Sequence, residues 1–454
     1  MVTLALFSTA VMAVALILVY VPLEYCILLP FCSIMWLGEG FRLGQVLPFG
    51  PHVALFGIVL LKRFMRRRPR ALIDVILRNG PLALFCLMSA GSVLYGVALG
   101  APIGGAIGDV STILYFVAMY AVIAATPDLN MRRLITGVVS ITALAVVKVL
   151  YLYAVPVGAR WDNDWQASVL VWGSGLSSRI ILNGADVFFV LAAAFPVSNL
   201  MIKPQISKLL SAVPALGMIV IGLLLCSTRS NWVGFAVIIF SQILIVSCRI
   251  LASGAIRSKS ILGVALLLAI AGAFSISGDY SPLPILQARF AEGDTRGSLS
   301  LRAAERDALL ESVGSSFLFG RGMGSQYPDP IHNGEPTGFN HNAYLYLYLK
   351  MGLVGVLLYV GILAHCCGRF WHRLMGLRET DDLILHLGML SALLGLCVLS
   401  LTVNKLFDVS GALFTGLAVG MCHQVKRIQT SFGYTYTVTS PCIVDRRAFS
   451  RQPE

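Results

Sequence analysis

Two arginines and one histidine, far apart along the chain, are the residues of this sequence with the clearest potential for chemistry. Arg229 lies in the turn Cys226-Ser-Thr-Arg-Ser-Asn-Trp232, Arg302 in a polar segment, and His341 in Gly338-Phe-Asn-His-Asn-Ala-Tyr344. An arginine guanidinium is always charged and can bind an anion through two parallel hydrogen bonds. A neutral imidazole can accept a proton. These residue types predict an anion site and a general base.

Each of the three also has an ordinary explanation, which the sequence leaves open. The guanidinium of Arg229 can extend to the membrane interface or pair with a carboxylate. Arg302 can form a surface ion pair with Glu305, one helical turn away. His341 can cap the helix that follows it, and Tyr344 can belong to an aromatic belt at headgroup level.

Composition requires that these residues are positioned by membrane helices. Of the 454 residues 57% are hydrophobic and only 12% are charged, and the mean hydropathy is +0.81, which is too apolar for an ordinary soluble chain. The net charge of +12 comes from short basic clusters between apolar runs, so orientation in a membrane explains it better than nucleic acid does.

The apolar runs predict an all-α polytopic bundle of twelve or thirteen transmembrane helices. The basic clusters place every second connection in the cytoplasm. The first run has no basic flank and no small-residue cleavage site, so we expect it to remain as a span. The predicted spans lie near residues 3–20, 23–38, 47–62, 80–99, 107–125, 134–154, 180–201, 209–226, 231–248, 260–277, 351–368, 383–403 and 407–424.

The longest external connection, residues 278–350, is expected to hold the chemistry. It contains eight acidic residues against five arginines and one lysine, unlike the cationic cytoplasmic connections. A helix capped by Ser298 or Ser300 is predicted through Val313 and ends at Gly314. The predicted regions are N-terminal transmembrane helices at 1–277, the external loop at 278–350, C-terminal transmembrane helices at 351–424 and a cytoplasmic tail at 425–454.

Other candidate chemistry in the sequence is weaker. Arg321 lies in Phe319-Gly-Arg-Gly-Met-Gly-Ser325, but this run follows a predicted helix and lacks the lysine of a phosphate-binding loop, so nucleotide binding is not expected. The histidines are scattered, and we expect no metal and no cofactor. Arg160, Arg179, Arg321 and Lys405 are predicted to be external, where they can add positive field or acceptor contacts, or be ordinary surface charges.

The layout of the chain and three of its motifs resemble the bacterial O-antigen ligase and O-antigen polymerase superfamily. The motifs are the Ser227-Thr-Arg-Ser-Asn231 turn, the run from Arg302 to Phe319-Gly-x-Gly322, and His341-Asn-x-Tyr-Leu345 followed by Gly352-Leu-Val-Gly355. The resemblance implies a GT-C-like membrane glycosyltransferase of the bacterial inner membrane. Its site would face the periplasm.

The resemblance also implies roles for individual residues. Arg229 and Arg302 would hold the diphosphate of an undecaprenyl diphosphate-linked glycan donor, and His341 would act on the acceptor hydroxyl with inversion at the anomeric carbon. Asn342, Tyr344, Arg321 and Arg179 are further candidates for substrate binding. The acceptor would be a glycan or a lipid A core, and membrane lipids and polysaccharide-assembly proteins are the other expected partners.

Three functions from different classes remain open at this point. The first is the inverting glycosyltransferase, either a ligase or a surface polysaccharide or exopolysaccharide polymerase. The second is a transporter or flippase for a lipid-linked or anionic substrate, which should carry charged residues at mid-membrane depth. The third is an assembly partner without chemistry, in which Arg229, Arg302 and His341 could each be replaced with little effect.

Overall fold

The computed structural model of the chain is a bundle of long apolar helices, which confirms the predicted all-α polytopic membrane fold. Its few strands form three short antiparallel hairpins within the described residues. The structure describes residues 17, 20–37, 50–66, 70–154, 169–172, 179–182, 186–203, 206–226, 229–253, 295–330, 334–377, 379–424, 427–429 and 435–437.

The described elements follow one another in a simple order. The helices are α1 (Leu23–Leu37), α2 (Gly50–Arg66), α3 (Arg70–Arg78), α4 (Gly80–Ala98), α5 (Ile103–Ala124), α6 (Met131–Ala154), α7 (Asp186–Ile202), α8 (Ile206–Cys226), α9 (Arg229–Ser253), α10 (Thr295–Val313), α11 (Ala343–Gly376), α12 (Thr380–Leu399) and α13 (Val409–His423). The strands are β1 (Val169–Trp172), β2 (Arg179–Leu182), β3 (Tyr327–Pro328), β4 (Pro336–Thr337), β5 (Arg427–Gln429) and β6 (Thr435–Thr437).

Eleven of the thirteen predicted spans coincide with helices of the structure, and the other two, near 3–20 and 260–277, lie almost entirely outside the described residues. Within those residues, α4, α5, α6, α9, α11 and α12 are long and apolar enough to cross a membrane, and α1, α7, α8 and α13 are shorter apolar helices. The chain is therefore a multi-pass membrane protein.

Two predicted helix starts differ from the structure. Helix α10 begins at Thr295, before Ser298 and Ser300, so neither serine is its N-cap. Helix α7 begins at Asp186 rather than near residue 180, because residues 179–182 pair with β1. Helix α11 begins at Ala343, directly after the His341-Asn motif, as expected for a helix that follows His341, and the predicted end of the external loop at residue 350 stays a prediction.

The core of the bundle consists of helices that expose almost no surface. Every residue of α13 from Ser410 to Cys422 is buried, as are nearly all residues of α7. Gly416 and Gly420 of α13 face α5, where a Cβ atom on Gly416 would lie 2.5 Å from the carbonyl oxygen of Phe116. Glycines four residues apart thus let two apolar helices approach at backbone distance.

The two ends of the bundle differ in charge. At one end, here called the Arg132 end, Arg132 pairs with Glu379, Asp381 and Asp382 at 2.7–3.1 Å. At the other, the His341 end, the first residue of α11 donates a backbone hydrogen bond to Ser400 just after α12. Most described cations outside α10 lie toward the Arg132 end: Lys62, Arg63, Arg132, Arg133, Lys203, Arg249, Arg369 and Arg373.

Candidate active site

Helix α10 lies beside the start of α11 and turns one face toward it. Glu305, Leu309 and Val313 follow one another at four-residue spacing on this face, and all three are buried. The two apolar members pack with Tyr327 and Leu349 in a small core separate from that of the bundle. This packing fixes the position of the Glu305 carboxylate.

The buried carboxylate of Glu305 binds His341 twice. The Oε2 atom of Glu305 lies 3.0 Å from Nδ1 of the imidazole, and Oε1 accepts the backbone N–H of His341 at 3.1 Å. Oε1 also lies 2.9 Å from the hydroxyl of Tyr327, which in turn accepts a hydrogen bond from Asn340. Glu305 is 4% exposed, whereas the side chain of His341 is 39% exposed. The imidazole therefore has one bound edge and one accessible edge.

Electrostatics keep the Glu305 carboxyl ionised. Burial by itself raises the pKa of this group, but the hydrogen bonds from His341 and Tyr327 outweigh burial, and the pKa of Glu305 is lower than its ordinary value. An ionised carboxylate can only accept hydrogen bonds, so the proton of the His341 ring lies on Nδ1. The lone pair of Nε2 is then free to take a proton from a substrate.

Glu305 was not among the predicted site residues, because sequence spacing gave it a nearer partner. It lies three residues after Arg302, and an ion pair between the two was the expected ordinary arrangement. In the structure the Glu305 carboxylate faces His341 instead, and no ion pair of Arg302 is found within the described residues. Arg302 is partly exposed on the face of α10 that carries Glu305, one helical turn from that carboxylate.

The turn that contains Arg229 is the start of α9 at the His341 end of the bundle. The side chain of Arg229 lies outside the described part, but Asn231 is buried and donates a hydrogen bond to Oδ2 of Asp186 at 2.9 Å. The other oxygen of Asp186 binds the ammonium of Lys405 at 2.9 Å. Lys405, expected as an external charge, is thus 9% exposed and holds the start of α9 to the segment after α12.

That same segment contacts the residues next to His341. The side chain of Asn342 donates a hydrogen bond to the carbonyl of Leu401 at 3.0 Å, and the backbone N–H of Ala343 donates to the carbonyl of Ser400. Residues 400–405 consequently contact the start of α9 on one side and the start of α11 on the other. The elements that carry Arg229 and His341 are joined through a few short contacts.

Two of the other candidate binding residues are engaged in contacts within the protein. The Oδ1 atom of Asn342 caps α11 by accepting the backbone N–H groups of Tyr344 and Leu345. The hydroxyl of Tyr344 donates to the carbonyl of Cys397 in α12, at 3.0 Å. Both residues hold α11 in place, and substrate binding by either stays a prediction.

The remaining two candidates are arginines in loops or strands. Arg321 is exposed in the glycine-rich run between α10 and β3. Arg179 lies in β2 opposite Trp172, and its side chain, like the whole of Arg160, lies outside the described residues. Substrate binding by either arginine stays a prediction.

The glycine-rich run, residues 319–325, is inserted into the bundle rather than held free as a phosphate loop. Gly320, Gly322 and Gly324 all have positive φ, from +71° to +88°, which L side chains rarely adopt. A Cβ atom on Gly320 would lie 2.6 Å from the backbone nitrogen of Gly352, and one on Gly324 would lie 2.8 Å from that of Ala106. One on Gly322 would collide with Gly96 in α4.

Helix α11 exchanges backbone hydrogen bonds with this run where it breaks at Gly352. The N–H groups of Arg321 and Gly322 donate to the carbonyls of Leu349 and Lys350. In return, the N–H groups of residues 353 and 354 donate to the carbonyls of residues 317 and 318. Backbone that is neither helix nor strand inside an apolar bundle needs such internal partners. The motifs around Phe319 and Gly352 are therefore two halves of one contact.

A metal site is not evident in the described part of the chain. No group of three or more His, Cys, Asp or Glu side chains there is arranged to hold a metal ion.

An apolar helical bundle with a histidine–carboxylate pair at one end defines a multi-pass membrane protein with a candidate general-base site. Residues 214–360 match the family model described as O-antigen ligase, which confirms the resemblance to the O-antigen ligase and polymerase superfamily. The matched range extends from α8 into α11 and includes Arg229, Arg302 and His341. No curated protein matches the chain.

Proposed function

We propose that this protein is an inverting glycosyltransferase that moves a glycan from undecaprenyl diphosphate to a hydroxyl group of an acceptor sugar. The O-antigen ligase match supports this class of reaction. The observation that carries the mechanism is the pairing of His341 Nδ1 with the buried Glu305 carboxylate, which leaves Nε2 accessible.

In this mechanism the acceptor oxygen attacks the anomeric carbon of the donor from the face opposite the diphosphate. Its proton passes to Nε2 of His341 as the new carbon–oxygen bond forms. The bond from the anomeric carbon to the diphosphate oxygen breaks, and the electron pair leaves with the lipid diphosphate. The imidazolium that forms is stabilised by Glu305, which stays ionised. A single displacement of this kind inverts the anomeric configuration.

The leaving diphosphate gains negative charge, and two guanidinium groups are proposed to stabilise it. Arg302 is suited to this role because it lies one turn from Glu305 and has no ion pair within the described residues. Arg229 is the first residue of α9, and the start of this helix is connected through Asp186 and Lys405 to the residues next to His341. Two arginines would supply the charge stabilisation that a divalent ion supplies in other enzymes, so we propose metal-independent transfer.

The charge distribution supports an orientation with the site in the periplasm. The cations at the Arg132 end favour the cytoplasm under the positive-inside tendency. The His341 end would then face the periplasm of a bacterial inner membrane. Lipid-linked donors would reach the site from the outer leaflet. A ligase would take a lipid A core as acceptor and a polymerase a second carrier-linked glycan, and the structure favours neither.

The test is transfer by the purified full-length protein from a synthetic undecaprenyl diphosphate-linked glycan. Parallel reactions contain a lipid A-core acceptor or a second lipid-linked glycan, with and without a chelator. We expect a product of inverted anomeric configuration by NMR, unaffected by chelation. His341→Ala should lose transfer and keep donor binding, because the histidine acts on the acceptor.

Arg302→Ala should weaken donor binding, and Arg306→Ala provides the matched control. Arg306 lies one turn further along α10, where it is exposed and already paired with Asp307 at 2.8 Å. Equal donor affinity of the two variants would contradict the role of Arg302. Movement of the intact donor across a bilayer without any glycan transfer would instead support the transporter.

A further inference from the structure

A buried ion pair joins α5 to α11 near the candidate site. Lys350 of α11 is 1% exposed, and its ammonium binds Oδ2 of Asp109 in α5 at 2.8 Å. The other oxygen of Asp109 accepts the hydroxyl proton of Tyr346 at 2.7 Å. A buried charge pair costs desolvation free energy, so its presence calls for a role beyond general stability.

Both members of this pair bind the backbone of the glycine-rich run. Oδ2 of Asp109 accepts the N–H of Gly324 at 2.6 Å, and the ammonium of Lys350 donates to the carbonyl of Ser325 at 2.6 Å. The same ammonium lies against Gly338, where an added Cβ would be 3.1 Å away. The pair therefore touches the chain both before β3 and after β4.

These two contact points flank the catalytic candidates. Ser325 lies two residues before Tyr327, and Gly338 lies three residues before His341. Tyr327 lies within hydrogen-bond distance of both the Glu305 carboxylate and the carbonyl of Phe339. The ion pair is thus connected to the imidazole by three contacts: from Lys350 to Ser325, from nearby Tyr327 to Glu305, and from Glu305 to His341.

We propose that the Asp109–Lys350 pair positions the Glu305–His341 pair for transfer by clamping residues 320–341 to α5 and α11. This inference rests on the proposed function, since it assigns a role to a pair that does not contact substrate. Neither residue is a catalytic group. Their contribution is to hold the imidazole at a fixed distance from the carboxylate and from the acceptor.

The test compares the wild type with Lys350→Met, which keeps the length of the side chain and removes its charge. Lys62→Met is the matched control, because Lys62 is also 1% exposed and donates to a backbone carbonyl, that of Ile17, near the Arg132 end. Hydrogen–deuterium exchange is measured on peptides covering residues 320–341, in the full-length protein in nanodiscs. Transfer is measured as kcat and donor KM over a range of pH.

We expect exchange at 320–341 at least tenfold faster in Lys350→Met than in the wild type or in Lys62→Met. Its kcat should fall at least tenfold with donor KM within threefold, and its pH–rate profile should change. Exchange, kcat and pH profile all within threefold of wild type would overturn the proposal. A merely structural role would lower the amount of folded protein without changing kcat per folded molecule, and that result would overturn it too.

If Lys350→Met does not fold, Asp109→Asn/Lys350→Met replaces it, since this double variant leaves no uncompensated buried charge, and the same criteria apply. If the wild type transfers no glycan under any condition, the proposed function fails. The clamp is then supported or overturned by the exchange comparison alone.

Discussion

Replacing Glu305 by glutamine tests how His341 is prepared for catalysis. The amide oxygen of glutamine can still accept the hydrogen bonds that reach Oε1 from Tyr327 and the His341 backbone. The amide N–H₂ group, however, would face Nδ1 of the imidazole as a donor, in the place of Oε2. The favoured tautomer would then carry its proton on Nε2, and the general base would be lost.

The size of the effect follows from the value of general-base catalysis, which contributes roughly 10²–10⁴-fold to a rate. At about 1.4 kcal/mol for each factor of ten, this loss corresponds to about 3–5 kcal/mol of transition-state stabilisation. Donor binding should change little, because Glu305 is 4% exposed and does not face solvent. We therefore expect Glu305→Gln to lower kcat at least about 100-fold, with donor KM nearly constant.

The assay is initial-rate transfer from the lipid-linked donor at neutral pH, normalised to the amount of folded protein. Glu311→Gln is the control, because it makes the same chemical change on an exposed residue of the same helix. This control should transfer glycan at the wild-type rate. A Glu305→Gln protein with kcat within threefold of wild type would refute the assignment of His341 as a base oriented by Glu305.

Three other predictions concern the surroundings of the site. Gly322→Ala should have a much lower melting temperature than Gly334→Ala. Both glycines have positive φ, which costs alanine about 1–2 kcal/mol, but of the two only Gly322 lacks room for a Cβ atom. Equal melting temperatures of the two variants would contradict this packing. Lys405→Met should destabilise the protein by about 3–5 kcal/mol, because Asp186 loses its buried counter-ion. Adding Asp186→Asn to this variant should restore much of the lost stability. Chemical unfolding in detergent measures the free energy of unfolding of the single and the double variant. Glu305 has a lowered pKa in the folded protein, so its stabilising contribution is complete above its ordinary value of 4.5 and disappears as pH falls through the folded pKa. As pH falls through that range, the free energy of unfolding of Glu305→Gln, measured by chemical unfolding in detergent, should therefore decrease less than that of the wild type.

The buried polar contacts at the His341 end bear on the choice between transport and catalysis. Asp186 with Lys405 and Asp109 with Lys350 are charges inside a membrane bundle, which a transporter would also contain. The first pair binds Asn231, two residues after Arg229, and the second binds the backbone of Ser325, two residues before Tyr327. Their contacts therefore suit the positioning of a site at one end of the bundle better than a path through it.

The sequence by itself determined that this protein is embedded in a membrane, the class of its fold and most of its spans. Long apolar runs and alternating basic clusters are local properties, and a helix in lipid satisfies its own backbone groups, so little beyond the run itself is needed to predict it. The end of α10 at Gly314 was also predicted from a local property, because glycine readily adopts the positive φ that ends a helix. Arg229, Arg302 and His341 were recognisable as chemical groups, and their roles stay predictions.

Only the tertiary structure decided which groups face one another. Glu305 had Arg302 as a neighbour one turn away in the helix, yet its carboxylate binds His341, 36 residues further along. Lys405 was expected at the surface and is buried against Asp186, which precedes it by 219 residues. Such pairings depend on how α10 packs on α11 and how residues 400–405 fold between α9 and α11. A buried charge takes whichever partner the packing brings within hydrogen-bond distance, and sequence spacing does not contain that information.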